Sequence, residues 1–320
     1  MYLLELVGED DPFARCEAAS ACSDVRPLAP GLATARGVTE RVASLAYTRR
    51  VSALVGTTDA DVADARALLD AARIDREGTV AVRARDVRGT TGVDTRRAER
   101  ELGSVLVARG FEVDLDGPDH ELRACFSGDT CALGWLEVET PRDFAARRPT
   151  DRPFFQPGSM DAMLARALVN VAGARPGARV LDPMCGTGGV LVEGGLVGAE
   201  VIGLDAQRKM VRGARENLAH FLGPAAAQTL RGDATRLPLR DDSVDAVVFD
   251  APYGRQSKIV GGLDALVGDA LAEARRVAPR CVLVADRPWR EAAEAAGWTV
   301  ERAFERRVHR SLDRHVLVLA

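Results

Sequence analysis

The stretch Val180-Leu181-Asp182-Pro183-Met184-Cys185-Gly186-Thr187-Gly188-Gly189 decides how the C-terminal half of this 320-residue chain is read. An apolar run ends on an acid, and a glycine-rich turn leads from it into a helix. Glycines in such a turn admit positive φ and let the backbone approach a ligand. The turn lacks the Lys-Ser/Thr of a phosphate-gripping loop, and Met184 and Cys185 break the glycine pattern of nicotinamide binding. Working outward, Arg179–Asp182, Glu200–Leu204, Thr229–Arg231, Ala246–Phe249 and Cys281–Ala285 are short apolar runs suited to buried parallel strands. Helical patterns lie between them: Ala206–Leu222, closed by Gly223-Pro224, and Ala265–Val277, ended by Pro279. The alternation predicts an open, doubly wound α/β sheet. Thr299–Val308 and His315–Leu319 then predict an antiparallel hairpin after the fifth strand.

A parallel sheet finished by such a hairpin is the layout of the class I, Rossmann-like methyltransferases that use S-adenosylmethionine. The acids agree with it. Asp182, Asp205, Asp233 and Asp250 sit at four successive strand ends, where open α/β sheets bind ligands. Asp205 is placed to bind a ribose hydroxyl pair, and Asp233 to accept from an adenine amino group.

Downstream, Val247-Val248-Phe249 runs into Asp250-Ala251-Pro252-Tyr253-Gly254. An exocyclic amino nitrogen on a purine donates its lone pair into the ring and is a poor nucleophile. The Asp250 carboxylate and the Ala251 carbonyl form an acceptor pair that would bind the amino hydrogens and favour a pyramidal nitrogen. That aims the lone pair at a methyl donor, mainly by orientation and electrostatics. Tyr253 would stack on the base, Pro252 fixes φ, and Gly254 clears space beside the ring. Read as a plain surface turn, the same residues would carry no chemistry. The glycine-rich turn upstream argues for the functional reading.

Composition sets outer bounds. Hydrophobic residues at 47% and charged residues at 28% describe an ordinary globular protein long enough for two domains. No apolar run approaches a membrane span, and Met1-Tyr2-Leu3-Leu4-Glu5 lacks the features of a secretion signal, so a cytoplasmic protein without a membrane partner is expected. The six cysteines form no Cys-x-x-Cys pair and only four histidines are scattered along the chain, which predicts no metal and reduced thiols. Net charge is −4. Yet 83–109 and 302–314 are rich in arginine, and either stretch suits contact with phosphates or a solvated face of local ion pairs. Of 43 basic residues only Lys209 and Lys258 are lysine. Such a bias fits a GC-rich genome and a salt-loving source, in which RNA affinity rests on bidentate arginine contacts more than long-range steering.

The N-terminal half reads differently. Asp59–Ala72 and Asp94–Arg109 are expected helices, the second with Asp94 as N-cap and Gly110 past its end. Thr79–Arg85, Phe111–Leu115, Glu121–Phe126 and Cys131–Glu137 are expected strands. The predicted organisation is a small element over 1–45, an α+β module over 46–140, a connection rich in proline and arginine over 141–158, and the α/β domain over 159–320.

At this point the sequence resembles a known family: the archaeal tRNA guanosine-10 N2-methyltransferases, which carry an RNA-binding THUMP domain ahead of a class I methyltransferase. The resemblance is dense over 148–257. It includes Arg152-Pro153-Phe154-Phe155-Gln156-Pro157-Gly158-Ser159-Met160, Asp182–Gly189, Glu193-Gly194-Gly195, Asn217-Leu218 and Asp250–Ser257. It is looser over 46–140 and faintest over 1–45. It implies methylation, single or double, of the N2 of guanosine 10 in tRNA, with S-adenosyl-L-methionine as cofactor. The implied cofactor contacts are Asp182, Gly186, Gly188, Asp205 and Asp233, and the implied catalytic residues Asp250, Ala251, Pro252 and Tyr253. The THUMP-like module would hold the tRNA acceptor end, and a monomer is expected. Where the family has two prolines after the acid, this chain has Ala251-Pro252; the carbonyl survives, but the backbone is less restrained. Three alternatives stay open: a related enzyme acting on another tRNA or rRNA guanosine, a DNA amino-methyltransferase, and a non-catalytic RNA-binding protein on a methyltransferase fold.

Overall fold

The computed structural model describes residues 1–226, 228–252, 262–309 and 312–320, without the side chains at 308, 309 and 312. The chain divides into two compact units, Met1–Pro141 and Arg142–Ala320.

Among the described residues, the first unit is built on an eight-stranded sheet. Its strands are β1 (Tyr2–Leu6), β2 (Arg26–Ala29), β3 (Leu32–Ala35), β4 (Thr48–Asp59), β5 (Thr79–Asp86), β6 (Glu112–Val113), β7 (His120–Ser127) and β8 (Thr130–Glu139), in the order β2-β3-β1-β4-β8-β7-β5-β6. Besides α1 (Asp11–Ala18), two helices, α2 (Val62–Ala71) and α3 (Thr95–Ala108), supply apolar side chains to its core. Leu69, Leu102 and Leu106 pack there against Val80, Leu122, Phe126 and Leu133. Asp94 caps α3, its carboxylate accepting from Arg97 N at 3.0 Å, and Gly110 follows with φ of 94°. Residues 1–45, set apart in the sequence reading as a small element, contribute three strands to this same sheet. The tie is ionic as well as hydrogen-bonded. Glu5 on β1 is 2% exposed, and its carboxylate accepts from Arg123 Nε at 2.8 Å and Arg123 Nη2 at 3.1 Å. Burial alone pushes the Glu5 carboxyl up, but Arg123, with the charges of Arg50 and Arg85, outweighs it and holds the group below its usual range.

The second unit contains a seven-stranded sheet: β9 (Arg179–Asp182), β10 (Glu200–Asp205), β11 (Thr229–Arg231), β12 (Ala246–Asp250), β13 (Cys281–Ala285), β14 (Val300–His309) and β15 (Leu312–Leu319). The order is β11-β10-β9-β12-β13-β15-β14. β9 to β13 run parallel, and β15 pairs antiparallel with both β13 and β14, as the sequence predicts. Parallel strands covered on both faces need continuous apolar runs, which Val247, Val248 and Phe249 supply at 0% exposure. The helices are α4 (Ala162–Ala172), α5 (Gly189–Leu196), α6 (Arg208–Leu222), α7 (Leu263–Val277) and α8 (Arg290–Ala295).

The segment 142–160 packs as part of this unit. Glu193, at 0% exposure on α5, pairs with Arg147 Nε and Arg166 Nη2, each at 2.7 Å. Arg152, 5% exposed, donates from Nε to the Arg147 carbonyl and from Nη2 to the Met160 carbonyl, both at 3.1 Å. A proline-rich stretch that reads as a connection is thus pinned by charges that find buried partners only after folding. No helix among the described residues is long and apolar enough to cross a membrane. All six cysteines are free.

Candidate active site

A cleft of about 210 Å³ opens in the second unit beside the carboxyl ends of β9 and β12, where an open parallel sheet presents its strand-to-helix turns. Asp182, the last residue of β9, lines it at 2% exposure, and one carboxylate oxygen accepts from Met184 N at 3.0 Å. Burial pushes this carboxyl well above its usual range, and the neighbouring charges of Asp205 and Asp250 push the same way. Asp205, the last residue of β10, accepts from Gly186 N at 3.0 Å and from Gln207 N at 2.8 Å. Burial raises it too, and these two backbone bonds pull it part of the way back. Asp205 therefore braces the glycine turn from behind.

Gly186 lines the cleft with φ of 51°, and a Cβ there would meet nothing within 4 Å. The backbone at this point faces open space, as close approach of a ligand requires. Gly188 does a different job. Its φ is 77°, and a Cβ would come within 3.2 Å of the Ala214 methyl on α6, so the position is glycine for helix packing. Gly188 and Asp233 are not among the cleft-lining residues. Asp233 lies exposed past the short β11, its carboxylate accepting from Thr235 N at 2.9 Å and Thr235 Oγ1 at 2.8 Å, which makes a local turn.

Asp250, Ala251 and Pro252 line the cleft from the end of β12. Ala251 N donates to the Val284 carbonyl at 2.8 Å, so the parallel pairing runs on to this residue and holds the backbone of the acceptor pair. Arg314 of β15, 6% exposed, brings Nη2 to 3.8 Å from Asp250 Oδ2. Tyr253 and Gly254 lie outside the described residues. The structure thus brings Asp182, Gly186, Asp250, Ala251 and Pro252 to one cleft, with Asp205 behind it.

Sequence reading missed two contributors. Gln156–Met160 form a wall of the cleft, with Lys209 Nζ donating to Gln156 Oε1 at 3.0 Å. The run was visible as family resemblance, but its proline-rich composition read as a connection. Arg314 gave no signal, since one arginine in an arginine-rich hairpin looks like any other. Among the described residues, no group of three histidine, cysteine or acidic side chains is placed to hold a metal ion.

A glycine turn beside buried carboxylates can take a nucleoside-linked cation, and the acceptors on β12 can take an amino group. The comparisons with known proteins bear on this directly. The family model for the UPF0020, RMKL-like, methyltransferase domain matches residues 149–315. The chain is 42% identical over 220 residues to a tRNA (guanine(10)-N2)-dimethyltransferase of Methanothermobacter thermautotrophicus, covering 68% of this chain and 64% of that protein. It is 31% identical over 249 residues to the Pyrococcus abyssi protein of the same name, covering 76% of this chain and 74% of that one. The match thus spans a little under two thirds of the first relative and about three quarters of the second. The crystal structure of TrmN from Thermus thermophilus is similar with a TM-score of 0.51 at 26% identity, covering 99% of this chain and 98% of that one. The strand order, the family model and these relatives agree on a class I methyltransferase sheet, and the chain belongs to the UPF0020, RMKL-like methyltransferase family.

Proposed function

We propose that this protein methylates the N2 of guanosine 10 in tRNA, once or twice, with S-adenosylmethionine as cofactor. The observation that carries the reading is the Asp250–Ala251–Pro252 terminus of β12 opening on the same cleft as Asp182 and Gly186. The likeness to two proteins named as guanine-10 N2-dimethyltransferases supports the choice of nucleoside. The cleft's chemistry suits the cofactor: burial and the nearby charges of Asp205 and Asp250 push the Asp182 carboxyl toward its neutral form, a penalty that a bound cation relieves, and Gly186 leaves its backbone open. When bound, S-adenosylmethionine supplies an electrophilic methyl group on a sulfonium.

In this reading Asp182 and the Gly186 turn hold the cofactor, with Asp205 fixing the turn and offering its remaining lone pairs to ribose hydroxyls. The Asp250 carboxylate and the Ala251 carbonyl accept the two amino hydrogens of guanine and turn the nitrogen lone pair toward the cleft. Carboxylate and carbonyl are held before the base arrives, so little reorganisation remains at the reacting moment. Tyr253 follows directly and is assigned to stacking on the base. Asp233, exposed past β11, is assigned to the adenine amino group, and Gly188 to the turn that packs on α6. The first unit is assigned as the THUMP-like RNA-binding module that presents the tRNA.

A methylation assay on unmodified tRNA transcripts, read by nucleoside mass spectrometry, tests this. N2-methylated guanosine that vanishes when guanosine 10 is replaced is the expected result, and the mono-to-di ratio reports the product. A second reading has its own support: a Thermus thermophilus tRNA (guanine(6)-N2)-methyltransferase is 33% identical over 197 residues. Methylation that survives replacement of guanosine 10 but not of guanosine 6 would favour it. No methyl transfer at low or high salt would turn the reading to a non-catalytic RNA-binding protein.

A further inference from the structure

The two walls of the cleft come from segments far apart in sequence, and buried or half-buried side chains tie them together. One wall is the strip Gln156–Met160; the other is the turn through Gly186, Thr187 and Gly189. Asn217 on α6 is 0% exposed. Its Oδ1 accepts from Phe154 N at 2.9 Å, while Nδ2 donates to the Phe154 carbonyl and to the Thr187 carbonyl, each at 2.8 Å. A side-chain amide offers acceptor and donors in one fixed plane, and here they are divided between Phe154, two residues before the strip, and Thr187 of the turn. The Ser159 and Thr187 hydroxyls, 3.0 Å apart, add a second tie. Gly213, one turn before Asn217, makes room for the arrangement: a Cβ there would lie 2.0 Å from the Phe154 ring.

We propose that Asn217 is a positioning residue for the cofactor. It sets the separation of the two walls, so that the cleft exists before S-adenosylmethionine enters. This rests on the reading of the cleft as the cofactor site. A ligand that finds its walls in place is spared the cost of ordering the strip, and preorganisation of this kind appears as affinity. The acceptors on β12 belong to neither wall. Asn217 therefore acts on cofactor affinity and leaves the step at the base largely alone.

The test is calorimetric binding of S-adenosylmethionine and S-adenosylhomocysteine to the full chain, with steady-state kinetics, for wild type, Asn217→Asp and Leu168→Ala. Aspartate keeps an acceptor for Phe154 N but turns both donated bonds into lone pairs facing carbonyls. The expected result is cofactor Kd and KM raised about tenfold or more, as for buried carbonyls left unpaired. At saturating cofactor, kcat should stay within about threefold, the pattern of lost uniform binding. Leu168, 0% exposed on α4 and outside both walls, reports what general loss of stability does. Should Asn217→Asp prove unable to fold, Asn217→Ser, uncharged but one atom too short to bridge Phe154 and Thr187, should show a rise in the same sense. Wild-type-like affinity in the Asn217 variant overturns the proposal, as does an equal rise in Leu168→Ala. Absence of cofactor binding by the wild type overturns the cofactor reading itself, and this inference with it.

Discussion

Asp250→Ala separates the two jobs assigned to the mouth of the cleft. The substitution removes one of two acceptors for the amino hydrogens and leaves the Ala251 carbonyl in place. Loss of one preorganised group of this kind costs about 3–4 kcal/mol of transition-state stabilisation, so single-turnover methyl transfer should fall ~100- to 1000-fold. Stability should fall less. At 3.8 Å the Arg314–Asp250 attraction is ~4 kcal/mol in an effective dielectric of about 20. The Asp250 side chain is still 23% exposed, so solvent offsets a share and the net loss is about 1–3 kcal/mol. Asp182 and the Gly186 turn are untouched, and S-adenosylhomocysteine should bind within about threefold of wild type. The assay is single-turnover transfer to an unmodified tRNA transcript, beside calorimetry for the cofactor product and a melting curve. If rate, cofactor affinity and tRNA affinity all drop by the same factor, Asp250 holds the site together and does not act on the base. A rate within about tenfold of wild type would sink the acceptor-pair reasoning outright.

Other outcomes follow from the same geometry. A fragment of residues 142–320 should keep cofactor binding and lose tRNA affinity; unchanged tRNA binding in a filter assay would remove the RNA-holding role from the first unit. Gly188→Ala should cost about 1–3 kcal/mol in a urea melt, because the residue sits at φ of 77° and its new methyl crowds Ala214. Wild-type stability in that variant would contradict the packing role. Glu5 is held below its usual range by arginines, so its ionised form stabilises the fold above the ordinary carboxylate pKa, and that contribution fades as pH falls through the depressed value. The gap in Tm between wild type and Glu5→Gln should therefore be widest near neutrality and close in acid; a pH-independent gap would show that charge is not its cause. Activity should persist at about molar salt, where the Debye length is only ~3 Å, if tRNA is held by bidentate arginines at short range. Collapse above moderate salt would refute that.

What was legible followed from periodicity and punctuation. Arg179–Asp182, Ala246–Phe249 and Cys281–Ala285 could be read as parallel strands because such strands are covered on both faces and must be largely apolar. The hairpin of β14 and β15 showed itself by a short polar link between two β-rich runs. The strand β4 escaped notice. It is twelve residues long, but Arg49, Arg50, Gly56 and a tail of threonines hide its alternation. Only its partners reveal it, Leu4 opposite Val51 on one side and Trp135 opposite Ala53 on the other. The same holds for residues 1–45, whose apolar spacing shows little until β1 is paired.

The candidate site divides along the same line. Asp182, Gly186, Asp205 and Asp250 were identifiable from the sequence because each acid closes or each glycine opens a strand-to-helix turn, a local event with a local signature. Gly188 and Asp233 carried that signature as well, yet one packs against Ala214 and the other turns on Thr235. Asn217, Arg314 and the strip Gln156–Met160 had no such mark. Their roles depend on partners tens of residues away, such as Phe154 and Thr187 for Asn217, and no local pattern encodes a contact between segments that distant. Sequence alone therefore determined the class of sheet and the acids at its strand ends, since burial and backbone conformation constrain residue type position by position. Which of those residues share a cleft, and what holds its walls apart, was decided by tertiary structure, since hydrogen bonds between distant segments exist only once the chain has packed.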